Sequence, residues 1–138
     1  MKKLLQTNNL SKTYVQTQGF FSRVRTNIHA LDNVSFSINQ GTTMAVVGES
    51  GSGKSTLAKS LVRLVNLDEG SVKFNGINLL NLEGEKLKSV RKDIQMIFQD
   101  PYASLNPRLS IFQIMEEPLL IHNYRDNDAR RKKIENFI

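Results

Sequence analysis

A glycine-rich run that ends in a lysine and a hydroxyl residue is the segment of this chain best suited to chemistry. It reads Gly48-Glu49-Ser50-Gly51-Ser52-Gly53-Lys54-Ser55 and fits the pattern G-x-x-x-x-G-K-[ST] at every position. Glycines let the backbone approach an anion closely, so successive N–H groups can surround phosphate oxygens. Lys54 would bring positive charge to the β- and γ-phosphates, and Ser55 would offer its hydroxyl to Mg²⁺. The run predicts a loop that binds a nucleoside triphosphate.

The segments on either side of this loop favour the same prediction over a chance match in a Gly/Ser-rich turn. Residues 43–47 form a short apolar run that predicts a buried strand, and residues 55–65 carry apolar side chains at helical spacing. Strand, glycine-rich loop and helix is the order that a phosphate-binding loop requires. The helix would point its positive N-terminal end at the phosphates.

The N-terminal region predicts extended structure interrupted by polar segments. Residues 3–7 could form an edge strand, residues 8–12 a polar turn and residues 16–27 a loop. Residues 34–38 alternate apolar and polar side chains, which predicts a half-buried strand.

Beyond the loop, the pattern changes from a hairpin to helices. Residues 71–79 predict a hairpin around Asn-Gly, residues 83–91 a short helix, and residues 94–98 another strand. Ser110 and Gln113 predict a capping box that begins a helix, which Pro118 should interrupt near Glu117. Asp126 is expected to begin the last helix.

Composition excludes several classes of site. The 138 residues include no cysteine and two histidines, which excludes a disulfide framework, a thiolate zinc site and a cysteine nucleophile. No apolar run approaches the length that spans a membrane, and the start does not fit a signal peptide. The net charge of +6 is scattered, apart from Arg130-Arg131-Lys132-Lys133, which is interpreted as a solvated helix face. Nucleic-acid binding is therefore not expected.

Four segments in order carry a resemblance to a known family. They are residues 10–14 (LSKTY), 30–36 (ALDNVSF), 48–56 (GESGSGKST) and 98–108 (FQDPYASLNPR). Together they resemble the ATP-binding subunits of ABC transporters, and within that family the bacterial importers of dipeptides, oligopeptides and related small solutes. The insertion between Tyr14 and His29, with Gly19-Phe20-Phe21, is also typical of that branch. The resemblance covers essentially the whole chain.

The resemblance implies ATP and Mg²⁺ as cofactors and assigns residues to them. Tyr14 would stack its ring on adenine. Lys54 and Gln99 are the implied catalytic residues, with the Gln99 amide reaching Mg²⁺ or the attacking water. Ser55 and Gln99 are the implied magnesium ligands. The residues implied to hold the phosphates are Gly48, Ser50, Gly51, Ser52, Gly53, Lys54, Ser55 and Thr56.

The implied partners are ABC permease subunits at the membrane and a second ATP-binding subunit, identical or different. The expected location is cytoplasmic, peripheral on the inner face of the cell membrane. The Gln99 loop would link the nucleotide to the permease, because it leads into the helical region that contacts the permease in this family.

The expected fold is α/β: a P-loop NTPase core of the ABC ATPase type, with an N-terminal antiparallel β layer and the start of a helical subdomain. We expect residues 1–138 to be the N-terminal part of a single nucleotide-binding domain. Residues 1–104 would form the β layer and phosphate-loop core, and residues 105–138 would begin the helical subdomain.

The family's later motifs do not occur in this sequence. There is no LSGGQ-like motif, no apolar strand that ends in Asp-Glu and no late catalytic histidine; His29 and His122 are interpreted as structural or surface residues. We therefore expect an incomplete domain in which the strands at 43–47 and 94–98 have nothing to pair with. This chain alone should hydrolyse ATP negligibly, because phosphoryl transfer depends on positioned groups that are missing.

Other functions remain open at this stage. One is a stand-alone P-loop nucleotide-binding protein such as a small kinase, for which Arg130-Arg131 would be a weak acceptor site. Another is a non-catalytic remnant or module that binds the permease or a nucleic acid through its positive surface.

Overall fold

The structure is a computed structural model that describes residues 2–17, 25–100 and 104–137. The chain divides into two compact units, Met1–Leu87 and Lys88–Ile138. The first contains the sheet and the first helix, and the second contains the last two helices. The subdivision of one domain at residue 104 stays a prediction.

Within the described residues, the first unit is built around a sheet of four strands: β1 (Lys3–Thr17), β2 (Arg25–Asn39), β3 (Glu69–Phe74) and β4 (Ile77–Asn78). Their order across the sheet is β2-β1-β3-β4, and each of these pairings is antiparallel. This confirms the predicted antiparallel layer, the strand at 34–38 and the hairpin, whose turn residues Asn75 and Gly76 both have positive φ.

The first strand is central and continuous, so the predicted edge strand at 3–7 and polar turn at 8–12 are wrong. The polar residues form bulges instead of a turn, with a register shift after Thr7 and a positive φ of 49° at Asn9. The Thr7 hydroxyl accepts the Phe36 N–H at 2.9 Å, and Leu10 is fully buried. Where the ladder is irregular, a side chain thus provides the hydrogen-bond acceptor for a backbone N–H group.

The predicted loop at 16–27 is shorter than expected. Val15 pairs with Asn27 and Gln16 with Thr26, so both ends of the segment belong to β1 and β2. The insertion residues Gly19-Phe20-Phe21 lie outside the described residues.

The predicted strands at 43–47 and 94–98 are wrong for this structure. Neither segment is in a strand, because no partner strand for them exists among residues 2–17, 25–100 and 104–137. Most of their apolar side chains are exposed, Val47 to 89% and Ile97 to 95%, whereas Ile94 and Met96 are half-buried. The expectation that these segments would lack pairing partners is confirmed.

The helices are α1 (Lys54–Leu61), α2 (Gly84–Val90), α3 (Ile111–Ile121) and α4 (Asn127–Glu135), with a 3₁₀ turn at Leu79–Asn81. The predicted helix 55–65 ends four residues early, since Arg63 has a φ of 56°. The Arg63 guanidinium instead donates to the carbonyl oxygens of Leu79, at 2.9 Å, and Leu82.

Both predicted helix starts in the second unit are confirmed. The Ser110 hydroxyl accepts the Gln113 N–H at 3.2 Å, and the Gln113 side chain accepts the Ser110 N–H at 2.8 Å, which completes the capping box. The Asp126 carboxylate accepts the N–H groups of Asp128 and Ala129 and so caps α4.

Pro118 does not end α3 as predicted. The helix continues to Ile121, and the His122 N–H donates to the Pro118 carbonyl at 3.1 Å, so the hydrogen-bond ladder resumes after the proline. The proline removes one N–H donor from the helix, and α3 packs against α4. Glu116 of α3 pairs with Arg130 of α4 at 3.0 Å. Arg130 is only 6% exposed, so its assignment to a solvated face is also wrong.

Gly70 of β3 generates a stability prediction. Its φ is 102°, and a Cβ there would lie 2.6 Å from the carbonyl oxygens of Asn8 and Asn9, at the bulge of β1. Gly70→Ala should lower the free energy of unfolding by about 2–4 kcal/mol, through backbone strain and steric overlap. Gly76→Ala is the matched control, because Gly76 also has positive φ but open space around it. Its cost should be about 1–2 kcal/mol. Equal costs in urea unfolding would contradict the bulge contact.

Candidate nucleotide-binding site

The glycine-rich loop leads directly into α1, whose first residue is Lys54. Gly53 occupies the N-cap position with φ 88°, and no side chain among the described residues caps the helix. A helix N-terminus leaves its first N–H groups without helical acceptors, and they carry a partial positive charge. An uncapped start therefore leaves these donors suited to an anion.

Gly53 also brings the loop into close contact with the sheet. A Cβ at this position would lie 2.1 Å from the carbonyl oxygen of Ala30 and 3.6 Å from Leu31 Cδ2, both on β2. Only a residue without a side chain can make this approach. At Gly48 a Cβ would come within 2.7 Å of Ser52 Oγ, whereas Gly51, with φ 83°, has open space beside it. The loop is thus fixed at its helix end.

Lys54 folds back over the loop that precedes it. Its Nζ donates to the carbonyl oxygens of Gly48 at 2.7 Å and Glu49 at 2.6 Å, and lies 3.3 Å from Ser52 Oγ. The ammonium therefore stays with the loop instead of extending into solvent. Phosphate oxygens could replace these neutral acceptors, because an anion attracts the ammonium more strongly than a carbonyl oxygen does.

The hydroxyl residues of the loop region fit a magnesium ion that is carried by phosphate. Ser55 follows Lys54 in the first turn of α1, and its side chain is exposed. Magnesium binds through few protein oxygens when phosphates and waters supply the other ligands. Among the described residues, no cluster of three or more His, Cys, Asp or Glu side chains could hold a metal by itself. Ser55 is thus suited to one position in such a shell.

Tyr14 lies on the part of the sheet that supports the loop. It pairs with Ile28 of β2, two residues from Ala30, the point that Gly53 contacts. Two residues along a strand span about 7 Å. Tyr14 as a residue is 41% exposed, so a planar group could reach part of its side chain. The structure therefore brings Tyr14 and the glycine-rich loop to one region of the first unit.

Gln99 belongs to the second compact unit and is exposed. It follows the unpaired segment 94–98. Its roles in catalysis and magnesium binding stay predictions from the resemblance. The proline and aromatic residues of the same motif, at 101–103, lie outside the described residues.

Asp68 is a residue that the sequence analysis missed. Its carboxylate accepts Lys12 Nζ at 2.7 Å and the Thr13 N–H at 2.7 Å, directly before Tyr14. The Lys12 ammonium, followed by the Thr13 N–H, lowers the pKa of the Asp68 carboxyl from its ordinary value. Asp68 is more than fifty residues from Lys12 in sequence, so no local pattern could reveal the pair.

The two histidines play no part in the loop geometry. His29 Nδ1 lies 3.2 Å from the Thr13 hydroxyl on the exposed sheet surface. His122 follows α3 as its C-cap, and its buried Nδ1 has no hydrogen-bond partner among the described residues.

Among the described residues, none of the helices has the length and apolar character needed to cross a bilayer.

Comparison with known proteins supports the sequence-based expectation. The family model described as ABC transporter matches residues 31–138. The chain is 43% identical over 136 residues to the oligopeptide transport ATP-binding protein AppF of Bacillus subtilis (strain 168), covering 98% of this chain and 41% of that protein. It is 44% identical over 131 residues to the glutathione import ATP-binding protein GsiA of Salmonella paratyphi A (strain ATCC 9150 / SARB42), covering 95% of this chain and 21% of that protein.

Solved structures show the same fold. The ATP-binding cassette MJ0796, in a dimeric post-hydrolysis state bound to ADP and Pi, superposes with a TM-score of 0.73 at 32% identity. The match covers 94% of this chain and 53% of that chain. The chain therefore spans less than half the length of the curated relatives and about half of this cassette. The predicted fold class is confirmed, and the chain belongs to the ABC transporter family, as part of its ATP-binding domain.

Proposed function

We propose that the protein containing this chain binds and hydrolyses ATP to drive import of peptides or related small solutes through an ABC permease. The observation that carries the proposal is the Lys54 ammonium, held over the loop carbonyls at the uncapped start of α1. The similarity to oligopeptide and glutathione import proteins supports the importer branch.

The residues of the first unit would divide the binding of ATP between them. Lys54 would release the carbonyls of Gly48 and Glu49 and donate to the β- and γ-phosphates. N–H groups of the loop and the α1 N-terminus would hold the remaining phosphate oxygens. Tyr14 would stack on the adenine, because its ring is exposed on the sheet that supports the loop.

Ser55 would hold magnesium with its exposed hydroxyl, and Gln99 would contribute its side-chain amide to the metal or the attacking water. Magnesium, when bound, supplies charge neutralisation at the β- and γ-phosphates. The contribution of Gln99 is orientation of the water or metal, which matters because phosphoryl transfer depends mainly on positioning.

Partners and location follow from the same family membership. We infer a permease in the membrane and a second ATP-binding subunit, and a location at the inner face of the cell membrane. The dimeric state of the cassette MJ0796 supports the second subunit. Because the chain matches 53% of that cassette, residues 1–138 alone should bind nucleotide weakly and hydrolyse it negligibly.

Removal of the Lys54 charge tests the proposal. In the complete protein that contains this chain, Lys54→Ala should weaken MgATP binding by about 50-fold and abolish ATP turnover, since a charge-assisted contact to phosphate is lost. Lys73→Ala is the control, because Lys73 is an exposed lysine of β3. Titration calorimetry and phosphate release measure both effects. Wild-type affinity and turnover in Lys54→Ala would overturn the proposal.

The close contact between Gly53 and β2 gives a second prediction. Gly53→Ala should lower the free energy of unfolding, measured without nucleotide, by about 3 kcal/mol or more, because strain at positive φ adds to a clash with Ala30. Gly51→Ala is the matched control, since it shares positive φ but has no neighbour within 4 Å. It should cost about 1–2 kcal/mol. A Gly53→Ala protein as stable as Gly51→Ala would show that the loop does not rest on the strand.

The role of Gln99 has a kinetic signature. Gln99→Ala in the complete protein should lower kcat about tenfold and leave the Kd for MgATP within about twofold, since the amide would act on the reacting water or metal. Gln95→Ala, at another exposed glutamine of the same segment, should leave both unchanged. An unaltered kcat in Gln99→Ala would remove Gln99 from the mechanism.

A further inference from the structure

The carboxylate of Asp68, in the connection between α1 and β3, holds the strand that carries Tyr14. Asp68 immediately precedes β3, and its two carboxylate oxygens accept bonds from adjacent residues of β1. The backbone N–H of Asp68 also donates to the Ser11 carbonyl at 3.0 Å. Asp68 thus contacts three consecutive residues of β1 just before Tyr14.

These contacts occur where the β1 ladder is irregular. The register with β2 shifts between Leu10 and Lys12 and again between Lys12 and Thr13. The Thr13 N–H donates to Asp68 at this point. A carboxylate that accepts a backbone N–H fixes the local conformation with a charge-assisted bond. The backbone direction at Tyr14 therefore depends on a side chain from outside the strand.

The second carboxylate contact reaches the Tyr14 ring. Lys12 Nζ is 2.7 Å from Asp68 and lies over the Tyr14 ring, 5.5 Å from its centroid. The Lys12 side chain is only 16% exposed, so the ammonium is held in place. A cation over an aromatic face attracts it and limits its rotation. Tyr14 as a residue is 41% exposed despite this contact.

We propose that Asp68 is a positioning residue for Tyr14, which it holds through the Thr13 backbone and the Lys12 ammonium in the orientation that accepts a nucleotide base. This inference rests on the proposed function, since it requires Tyr14 to contact the base. Asp68 contributes to recognition of the base and not of the phosphates, which belong to the glycine-rich loop. Its loss affects ligands with a base and spares those without one.

Two probes separate these contributions: ADP, which has a base, and inorganic tripolyphosphate, which has none. In the complete protein, Asp68→Ala should weaken ADP binding about fivefold, because part of the base–aromatic stacking energy is lost. The affinity for tripolyphosphate should change by less than about twofold, because this anion has no base to stack. Glu69→Ala is the matched control, because Glu69 is the next residue and an exposed carboxylate. It should bind both probes like the wild type.

Further variants test whether Asp68 acts through Tyr14. In a Tyr14→Leu background, Asp68→Ala should cause no additional loss of ADP affinity, since coupled residues are not additive. Lys12→Met should weaken ADP binding about threefold, and Lys12→Arg should restore it, because arginine keeps the cation over the ring. Lys12→Met and Lys12→Arg both retain Asp68 and its hydrogen bond to the Thr13 N–H, so they test the proposal even if Asp68→Ala unfolds.

The outcomes distinguish a failure of the positioning role from a failure of the proposed function. Equal weakening of ADP and tripolyphosphate, full additivity with Tyr14→Leu, or wild-type ADP affinity in both Asp68→Ala and Lys12→Met would overturn the positioning role. Wild-type protein that binds neither probe in a Lys54-dependent manner would overturn the proposed function itself. Selective loss of ADP binding with rescue by Lys12→Arg supports the proposal.

Discussion

The close approach of Gly53 to the carbonyl of Ala30 is the contact on which the site depends. A Cβ at this point would lie 2.1 Å from that oxygen, so the strand and the loop can meet only through glycine. The contact fixes where α1 begins and therefore where its free N–H groups and Lys54 lie. Leu57, one turn into α1, is buried and completes the attachment through apolar packing.

The sheet reaches the same region by accommodating polar residues inside a central strand. β1 contains bulges where a turn would otherwise form, and hydroxyl and carboxylate side chains accept the N–H groups that leave the ladder. Leu10 of β1 and Val72 of β3 are both fully buried. Tyr14 therefore lies on the same continuous strand as Lys3, although the polar residues at 8–12 predicted a turn between them.

Two segments show how far a strand depends on its neighbours. Residues 43–47 and 94–98 have the composition of buried strands, yet neither is paired in the described part of the chain. Unpaired backbone gains nothing from an extended conformation, and the apolar side chains of Val47 and Ile97 remain exposed. The match covers 53% of the cassette MJ0796, so about half of that cassette has no counterpart in the match.

The sequence by itself determined the local features: the glycine-rich loop, the Asn-Gly hairpin, the capping box at Ser110 and the N-cap at Asp126. Each of these is set by residues a few positions apart, whose hydrogen bonds or φ angles require those residue types. Tertiary structure decided the rest. The central position of β1 and the Asp68–Lys12 pair depend on partners distant in sequence, and the burial of Arg130 accompanies its pairing with Glu116 of the preceding helix. Their energies arise from packing and pairing between segments, which no local pattern contains.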